Sequence, residues 1–282
     1  MIGRMKNASR NMVMADRDFA ERYGPTAIVT GASSGIGEQF AHLLAERGVD
    51  LILVARRTDR IEALATALSA KHGIHVDALT LDLTQPDFLD SILSACTEKD
   101  IGLVVSNAGS GPKGPLHECS REEIEHTLDL NCRAPLLLAH CFAPRLLQRG
   151  RGGILITGSI EGFQSFPYSA IYSASKALVR SFGEAIWEEY RERGLNVLVL
   201  APGSTDTELL ENLGMDAEQM GAMSAREVAE LGLRHLGSGP TYIPGSTNRV
   251  FMSVLRILPR RLALRLAGQG MQSAIEKAQP RK

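Results

Sequence analysis

The sequence predicts a single α/β domain built on a doubly wound parallel sheet with helices on both faces. Two observations carry this prediction. Short, continuously apolar segments alternate with segments whose apolar residues recur at helical spacing, and no proline-rich or serine-rich linker interrupts the alternation. Strands that are apolar throughout are buried on both faces, as in parallel sheets covered by helices.

The strands and helices can be placed in order along the chain. Apolar segments predict strands at residues 26–30, 51–55, 75–81, 103–105, 153–157 and 196–200. Apolar residues at helical spacing run from Ile36 to Leu44 and from Ile61 to Leu68, and further helices are expected at about 87–97, 121–149 and 170–193. Right-handed crossovers between these strands give a Rossmann-type sheet.

Composition argues against several classes of function. With 31 Lys and Arg against 32 Asp and Glu, the net charge is −1, so no overall field draws the chain to nucleic acid. The four cysteines include no CxxC pair and the seven histidines are scattered, so no metal site is expected. No apolar stretch is long enough to span a bilayer or to form the core of a signal peptide, which favours a cytoplasmic protein.

Three parts of the chain are distinguished. Residues 1–22 form a polar N-terminal tail, residues 23–245 the main domain, and residues 246–282 a C-terminal helical extension. Within the main domain, residues 204–223 are polar and rich in Gly and Met, which is typical of a mobile flap.

A glycine-rich turn follows the first strand and opens the first helix. This position favours a dinucleotide-binding turn over an ordinary βα turn. Glycines let the backbone approach a pyrophosphate, which the free N–H groups of the helix N-terminus then bind. The expected contact residues are Gly31, Ser33, Ser34, Gly35, Ile36 and Gly37.

Two arginines end the second strand, where NAD-binding proteins usually carry an acidic residue for the ribose hydroxyls. Arg56 can make a bidentate contact with a 2′-phosphate and stack on adenine, and Arg57 is a second candidate. The absence of the acid and the presence of the base favour NADP(H). The alternative is two solvated arginines that begin a helix, which stays open for Arg57.

The ends of the third and fourth strands supply further candidate cofactor contacts. Asp82 and the backbone of Leu83 are placed for the adenine amino group, although Asp82 could instead be a turn aspartate. Asn107, Ala108 and Gly109 end the fourth strand, where small residues allow close approach to a ribose.

The candidate chemistry centres on Tyr172. Lys176 lies four residues later, on the same face of a predicted helix, and its ammonium favours the tyrosinate and so lowers the tyrosine pKa. Ser159 ends a strand thirteen positions upstream and can hold a substrate oxygen beside Tyr172. The three residues together predict proton transfer to or from a carbonyl or alcohol oxygen.

With these residues in this order, the chain resembles the short-chain dehydrogenase/reductase family. The resemblance extends over about residues 26–207. Its motifs are Thr30-Gly31-Ala32-Ser33-Ser34-Gly35-Ile36-Gly37, Asn107-Ala108-Gly109, Asn131, Ser159, Tyr172-Ser173-Ala174-Ser175-Lys176 and Pro202-Gly203. One departure is Ser106, where many relatives have a second asparagine.

The resemblance implies a seven-stranded sheet, hydride transfer from or to NADP(H), and a homodimer or homotetramer. It also implies that Lys176 binds the nicotinamide ribose and that Asn131 holds a water in a proton relay. Independently of the resemblance, asparagine has a low helix propensity, so its presence inside a long helix fits a helix that is interrupted at this residue. Pro202, Gly203 and Thr205 would flank the nicotinamide carboxamide.

Substrate contacts are expected after Ser159 and from the flap. The candidates are Glu161, Phe163, Phe166, Leu209, Leu210, Leu213, Met215, Met220 and Met223. Together they would line an apolar pocket, or else they simply cover the core. The function favoured is interconversion of a lipophilic ketone or aldehyde and its alcohol. The alternatives are a 3-oxoacyl-thioester reductase and a non-enzymatic NADPH-binding sensor.

The C-terminal extension interleaves arginines with leucines, and Pro259 can begin a helix within it. Such a helix either packs over the substrate loop or a partner subunit, or lies weakly on a membrane surface. The packed arrangement is favoured.

Overall fold

The computed structural model describes residues 18–218 and 220–278. Of the predicted tail, residues 1–17 lie outside this range. The remainder differs from the prediction, because residues 18–23 form a first helix, α1. Phe19 and Tyr23 of α1 pack against the core, and the Tyr23 hydroxyl donates to the carbonyl of Leu236 at 3.2 Å. The domain therefore begins a few residues earlier than its sequence pattern indicates.

Seven parallel strands form the main sheet, as predicted. The strands of the chain are β1 (Thr26–Thr30), β2 (Asp50–Ala55), β3 (Val76–Thr80), β4 (Ile101–Ser106), β5 (Gly152–Thr157), β6 (Leu195–Leu200), β7 (Thr205–Asp206), β8 (Met223–Ser224) and β9 (Thr241–Tyr242). The main sheet has the order β3-β2-β1-β4-β5-β6-β9. Strand order reverses between β1 and β4, and a crevice opens at their carboxyl ends.

Helices cover both faces of this sheet. After α1 they are α2 (Gly35–Ala45), α3 (Thr58–His72), α4 (Phe88–Ala95), α5 (Arg121–Leu128), α6 (Ala134–Arg149), α7 (Ala170–Tyr190), α8 (Glu208–Asn212), α9 (Ala225–His235), α10 (Ser246–Ile257) and α11 (Arg260–Ala278). Successive residues of β1 face opposite sides of the sheet. Val29 packs in the cluster that contains Phe40, and Ile28 packs in the cluster that contains Phe142. Burial on both faces explains why the strands are apolar throughout.

The helix predicted at 121–149 is divided. One π-helical turn, Asp129–Arg133, separates α5 from α6 and contains the buried Asn131. Such turns widen the helix and break its regular hydrogen bonding. The interruption inferred from Asn131 is therefore present in the structure.

The segment predicted as a flap is tied at both ends. β7 and β8 pair in parallel, Thr205 with Met223 and Asp206 with Ser224, so the segment leaves and returns at one place. Between them, α8 lies beside the crevice. Met223 packs against the main core rather than lining a substrate pocket, which corrects its assignment from sequence.

The C-terminal extension packs over the loop after β5. Met252, Leu255 and Ala263 are buried against Ile160 and Phe163. Pro259 precedes α11, and its carbonyl accepts from Leu262 N–H at 2.8 Å. The outward side of α10 carries exposed apolar residues, and contact of this side with a membrane stays a prediction. Among the described residues, no helix is both long enough and apolar enough to cross a bilayer.

Candidate active site

Hydrogen bonds lock the carboxyl ends of β1, β4 and β5 together. Asn107 N–H donates to Thr30 Oγ1 at 2.9 Å, and its side-chain amide donates to the Thr30 carbonyl at 3.2 Å. Thr157 Oγ1 donates to Asn107 Oδ1 at 3.1 Å. Asn107 was expected to approach a ribose, but its amide instead braces the floor of the crevice.

The glycine-rich turn rises directly over this floor. Gly31 has φ +67°, and a Cβ there would lie 2.9 Å from the Cα of Ala108, so only glycine fits. Ser34 stands at the N-cap of α2 without capping it, because its hydroxyl accepts from Arg57 Nη2 at 2.6 Å. The first-turn N–H groups of α2 therefore receive no capping bond from Ser34, and uncapped N–H groups at a helix N-terminus can bind a pyrophosphate.

Arg57 is the exposed N-cap residue of α3, and its side chain is held across the glycine-rich turn. Besides Ser34, its guanidinium donates to Ser33 Oγ at 3.0 Å and to Glu208 Oε2 at 2.6 Å. Arg60 also pairs with the carboxylate of Glu208. Arg56 lines the same crevice and makes no hydrogen bond or ion pair within the part of the chain described. Two guanidinium groups, those of Arg57 and Arg60, thus pair with one carboxylate, and Arg56 lines the same crevice.

Asp82 is a turn aspartate, and its contact with an adenine stays a prediction. Its Oδ1 accepts from the N–H and the hydroxyl of Thr84, both at 2.9 Å, as in a turn aspartate. These hydrogen bonds lower its pKa against the effect of burial, with a smaller contribution from Arg56. Asp82 also lines the crevice together with Leu83, so a carboxylate oxygen is still free for a ligand.

Tyr172, Ser159 and Lys176 meet at the centre of the crevice. α7 presents Tyr172 and Lys176 one turn apart, and β5 delivers Ser159 at its carboxyl end. Tyr172 and Ser159 both line the crevice and the smaller cavity that adjoins it. Lys176 is 3% exposed, donates to the Thr157 carbonyl at 2.9 Å, and lies 5.5 Å from the centroid of the Tyr172 ring. The structure brings together the three residues expected to carry the chemistry.

The electrostatics of this cluster differ from the sequence argument in one respect. Burial raises the pKa of Tyr172 well above its usual range, the Glu161 carboxylate raises it further, and the hydrogen bond with Ser159 lowers it. The expected lowering by Lys176 does not decide the direction, because burial outweighs it. Burial also lowers the pKa of the Lys176 ammonium to about 8. A raised pKa favours the protonated hydroxyl of Tyr172, which is the form that can donate a proton.

Asn131 anchors the loop that follows β4. Its Oδ1 accepts from Ser110 N–H at 3.0 Å, and its amide donates to the Ser110 carbonyl at 2.8 Å and to Ser175 Oγ at 2.9 Å. Both amide protons are therefore used. A Cβ on Gly109 would lie 3.2 Å from Asn131 Oδ1 and 3.0 Å from Lys176 Nζ, so this glycine leaves open the space that the two polar atoms share.

The crevice has a volume of about 460 Å³ and a smaller cavity of about 180 Å³ adjoins it. Pro202, Gly203 and Thr205 lie on the crevice wall, beside Ser159 and Lys176. The smaller cavity is lined by most of the predicted substrate residues, namely Glu161, Phe166, Leu209, Leu210, Leu213, Met215 and Met220.

Phe163 is the exception among the predicted substrate residues. The 3-10 turn Ile160–Gly162 directs its ring toward the C-terminal extension, where it stacks under Arg180 at 4.6 Å and packs with Met252. Phe163 is not among the residues that line either cavity, and its contact with substrate stays a prediction.

Three residues of the site escaped the sequence argument. Lys113 and Met271 line the smaller cavity, and Glu208 bridges the crevice arginines. Lys113 sits in a Gly-Pro loop with no periodicity, and Met271 comes from the C-terminal extension. The acidic start of α8 was the only local signal for Glu208, and it fits an ordinary helix N-terminus equally well. No metal cluster occurs among the residues described.

Comparisons with known proteins agree with this geometry. The family model described as short chain dehydrogenase matches residues 25–218. A 7β-hydroxysteroid dehydrogenase of Clostridium sardiniense is 32% identical over 234 residues, covering 82% of this chain and 90% of that protein. A short-chain dehydrogenase from Sphingobium yanoikuyae, solved in complex with NADPH, superposes with a TM-score of 0.74 at 35% identity, covering 92% of this chain and 99% of that one.

A third similar protein is the bulky-bulky ketone specific alcohol dehydrogenase from Comamonas testosteroni, with a TM-score of 0.71 and 30% identity over 91% of this chain and 97% of that one. The fold, the crevice and these similarities lead to one assignment. The chain belongs to the short-chain dehydrogenase/reductase family and is an oxidoreductase that uses a nicotinamide cofactor.

Proposed function

We propose that this protein interconverts apolar ketones and their alcohols with NADP(H), and that Tyr172 moves the proton. The observation that carries the proposal is the position of Tyr172. Together with Ser159 it lines both the crevice and the apolar cavity, and Lys176 Nζ lies 5.5 Å from the centroid of its ring. A carbonyl presented from the cavity would reach its proton donor at the point where the crevice ends.

Each residue of the cluster has a defined part in this mechanism. When bound, the nicotinamide supplies the hydride to the carbonyl carbon, or accepts it in the reverse direction. Ser159 hydrogen-bonds the carbonyl oxygen and holds it near Tyr172, which protonates it. The Lys176 ammonium stabilises the tyrosinate that remains and binds the nicotinamide ribose. Asn131 keeps the loop at Ser110 in place and offers Oδ1 to a water beside Lys176.

The cofactor would lie along the crevice. The glycine turn and the N-terminus of α2 fit its pyrophosphate, Asp82 and Leu83 its adenine, and Gly203 and Thr205 its carboxamide. Arg56 and Arg57 are the residues for a 2′-phosphate. The group of Arg56, Arg57, Arg60 and Glu208 carries a net positive charge, and this supports NADP(H) over NAD(H).

Arg57→Ala should separate the two cofactors. We expect kcat/KM for NADPH to fall about ten- to hundredfold, because charge-assisted hydrogen bonds to the 2′-phosphate are lost. The value for NADH should change little, because NADH has no 2′-phosphate. Steady-state kinetics with both cofactors and one ketone measures this. Arg234→Ala is the control, because Arg234 pairs with Glu230 on α9 and does not line the crevice. Equal use of NADH and NADPH by the wild-type enzyme would contradict the assignment to NADP(H).

The lining of the smaller cavity supports an apolar substrate. Leucines and methionines of the flap form most of its wall, and flexible Met side chains adapt to large groups. Two of the similar proteins described above act on hydroxysteroids and on bulky ketones, which agrees with such a cavity.

A series of methyl ketones of increasing chain length tests this. With NADPH, kcat/KM should rise about fourfold for each added methylene that is buried, because burial of one such group contributes about 0.8 kcal/mol. A 3-oxoacyl thioester in the same assay tests the competing substrate class. No gain with length would reject the apolar substrate, and failure to reduce any carbonyl compound would favour a cofactor-binding sensor.

A further inference from the structure

The smaller cavity has one charged corner in its otherwise apolar wall. Lys113 Nζ and Glu161 Oε1 form an ion pair at 2.7 Å, and their side chains are only 11% and 13% exposed. Both residues line the cavity, and Lys113 Nζ lies 4.5 Å from the centroid of the Tyr172 ring. A charge pair so close to the reacting hydroxyl faces whatever substrate occupies the cavity.

The hydrogen bonds of this pair leave two positions open. Of the three N–H groups of Lys113, one donates to Glu161 Oε1 and one to Ser169 Oγ at 2.5 Å. Glu161 Oε2 accepts from Ser169 Oγ at 2.5 Å and from Ser173 Oγ at 2.9 Å. Oε1 accepts only from Lys113 among the described residues. One ammonium donor and one carboxylate lone pair thus remain for a ligand.

The chemistry of this corner selects among substrate groups. An apolar group would remove water from both charges and replace none of their hydrogen bonds, which is unfavourable. A carboxylate would be attracted by Lys113 and repelled by Glu161, and an ammonium the reverse. A hydroxyl is the uncharged group that donates to the carboxylate and accepts from the ammonium at once.

We propose that Lys113 and Glu161 form a subsite for a substrate hydroxyl on the α or β carbon of the reacting ketone. The hydroxyl lies only one or two carbons from the carbonyl because Lys113 lies over the Tyr172 ring, while Ser159 and Tyr172 hold the carbonyl oxygen. The substrate class is then a largely apolar hydroxyketone, or the corresponding diol in the oxidative direction. This inference rests on the proposed function and narrows it.

Matched ketones test the subsite. Two substrates share one apolar skeleton and differ by a single hydroxyl on the α or β carbon, and kcat/KM is measured for each with NADPH. For the wild-type enzyme, the ratio in favour of the hydroxyketone should be about ten- to hundredfold, as for hydrogen bonds to charged groups. A ratio near one would overturn the proposal.

The double variant Lys113→Met, Glu161→Gln removes both charges together, because Lys113→Met alone would leave a buried carboxylate without its partner. The ratio should fall to near one. Lys99→Met, Asp77→Asn is the control, since it removes an ion pair between β3 and the turn after α4, and neither residue lines a cavity. Its ratio should equal that of the wild type. An unchanged ratio in the first double variant would show that the pair only braces the loop.

Binding separates this proposal from the proposed function. Calorimetry on the wild-type protein saturated with NADP⁺ compares the two ketones without requiring turnover. Tighter binding of the hydroxyketone, lost in the variant, supports the subsite even if no ketone were reduced. Equal binding overturns the subsite while leaving ketone reduction intact.

Discussion

Tyr172→Phe should lower kcat for ketone reduction by about a hundred- to ten-thousandfold, the range that a positioned general acid contributes. The phenyl ring fills the same space, so the change removes only the hydroxyl that we propose protonates the carbonyl oxygen. Tyr172 is the only tyrosine among the described residues that line the crevice. Single-turnover and steady-state assays with NADPH measure the loss.

Two further measurements make this result specific. The Kd for NADPH, from its fluorescence on binding, should change less than about threefold, because the pyrophosphate and the 2′-phosphate have separate binding residues. Tyr190→Phe, at the far end of the same helix, should retain wild-type kcat, since Tyr190 packs in the core and lines neither cavity. Retention of most of the activity in Tyr172→Phe would remove this residue from the mechanism.

The sheet could be predicted because its signal is local. β1, β2, β4, β5 and β6 are short apolar segments that are almost wholly buried, as their composition predicts. The edge strand β3 is only partly buried. β9 gave no such signal: it has two residues, Thr241 and Tyr242, and pairs only with the end of β6. Its position depends on the neighbouring strand, which no window of sequence around it contains.

The site divides in the same way. Tyr172, Lys176 and Ser159 could be found because one helix turn and one strand end hold them in a recognisable order. Lys113 and Glu161 are 48 positions apart, and their pairing depends on how the loop after β4 folds over the start of α7. Glu208 is 151 positions from Arg57. Contacts of this kind come from tertiary packing, so sequence spacing carries no trace of them.

Lys176→Met is expected to lower kcat/KM for reduction about a hundred- to thousandfold, similar to the loss of one preorganised charge-stabilising group. The wild-type profile should also show the titration of this lysine. Because burial lowers its pKa to about 8, the ammonium is present below that pH and lost above it. Wild-type kcat/KM should therefore decline as pH rises through about 8. The Lys176→Met variant should have a low kcat/KM at every pH, and its pH profile should lack the decline near pH 8.

Stability moves in the opposite direction, which distinguishes lost chemistry from lost structure. The pKa of Lys176 is about 8 when folded and 10.5 as its ordinary value, so the unfolded chain binds more protons between these two pH values. The free energy of unfolding of the cofactor-free wild type should rise across this window, and the contribution of Lys176 below pH 8 is unfavourable. The variant has no such penalty, because methionine carries no buried charge. Thermal unfolding at pH 7 should show Lys176→Met at least as stable as the wild type. A variant that is both inactive and unfolded at pH 7 would instead make Lys176 a structural residue, held by its bond to the Thr157 carbonyl.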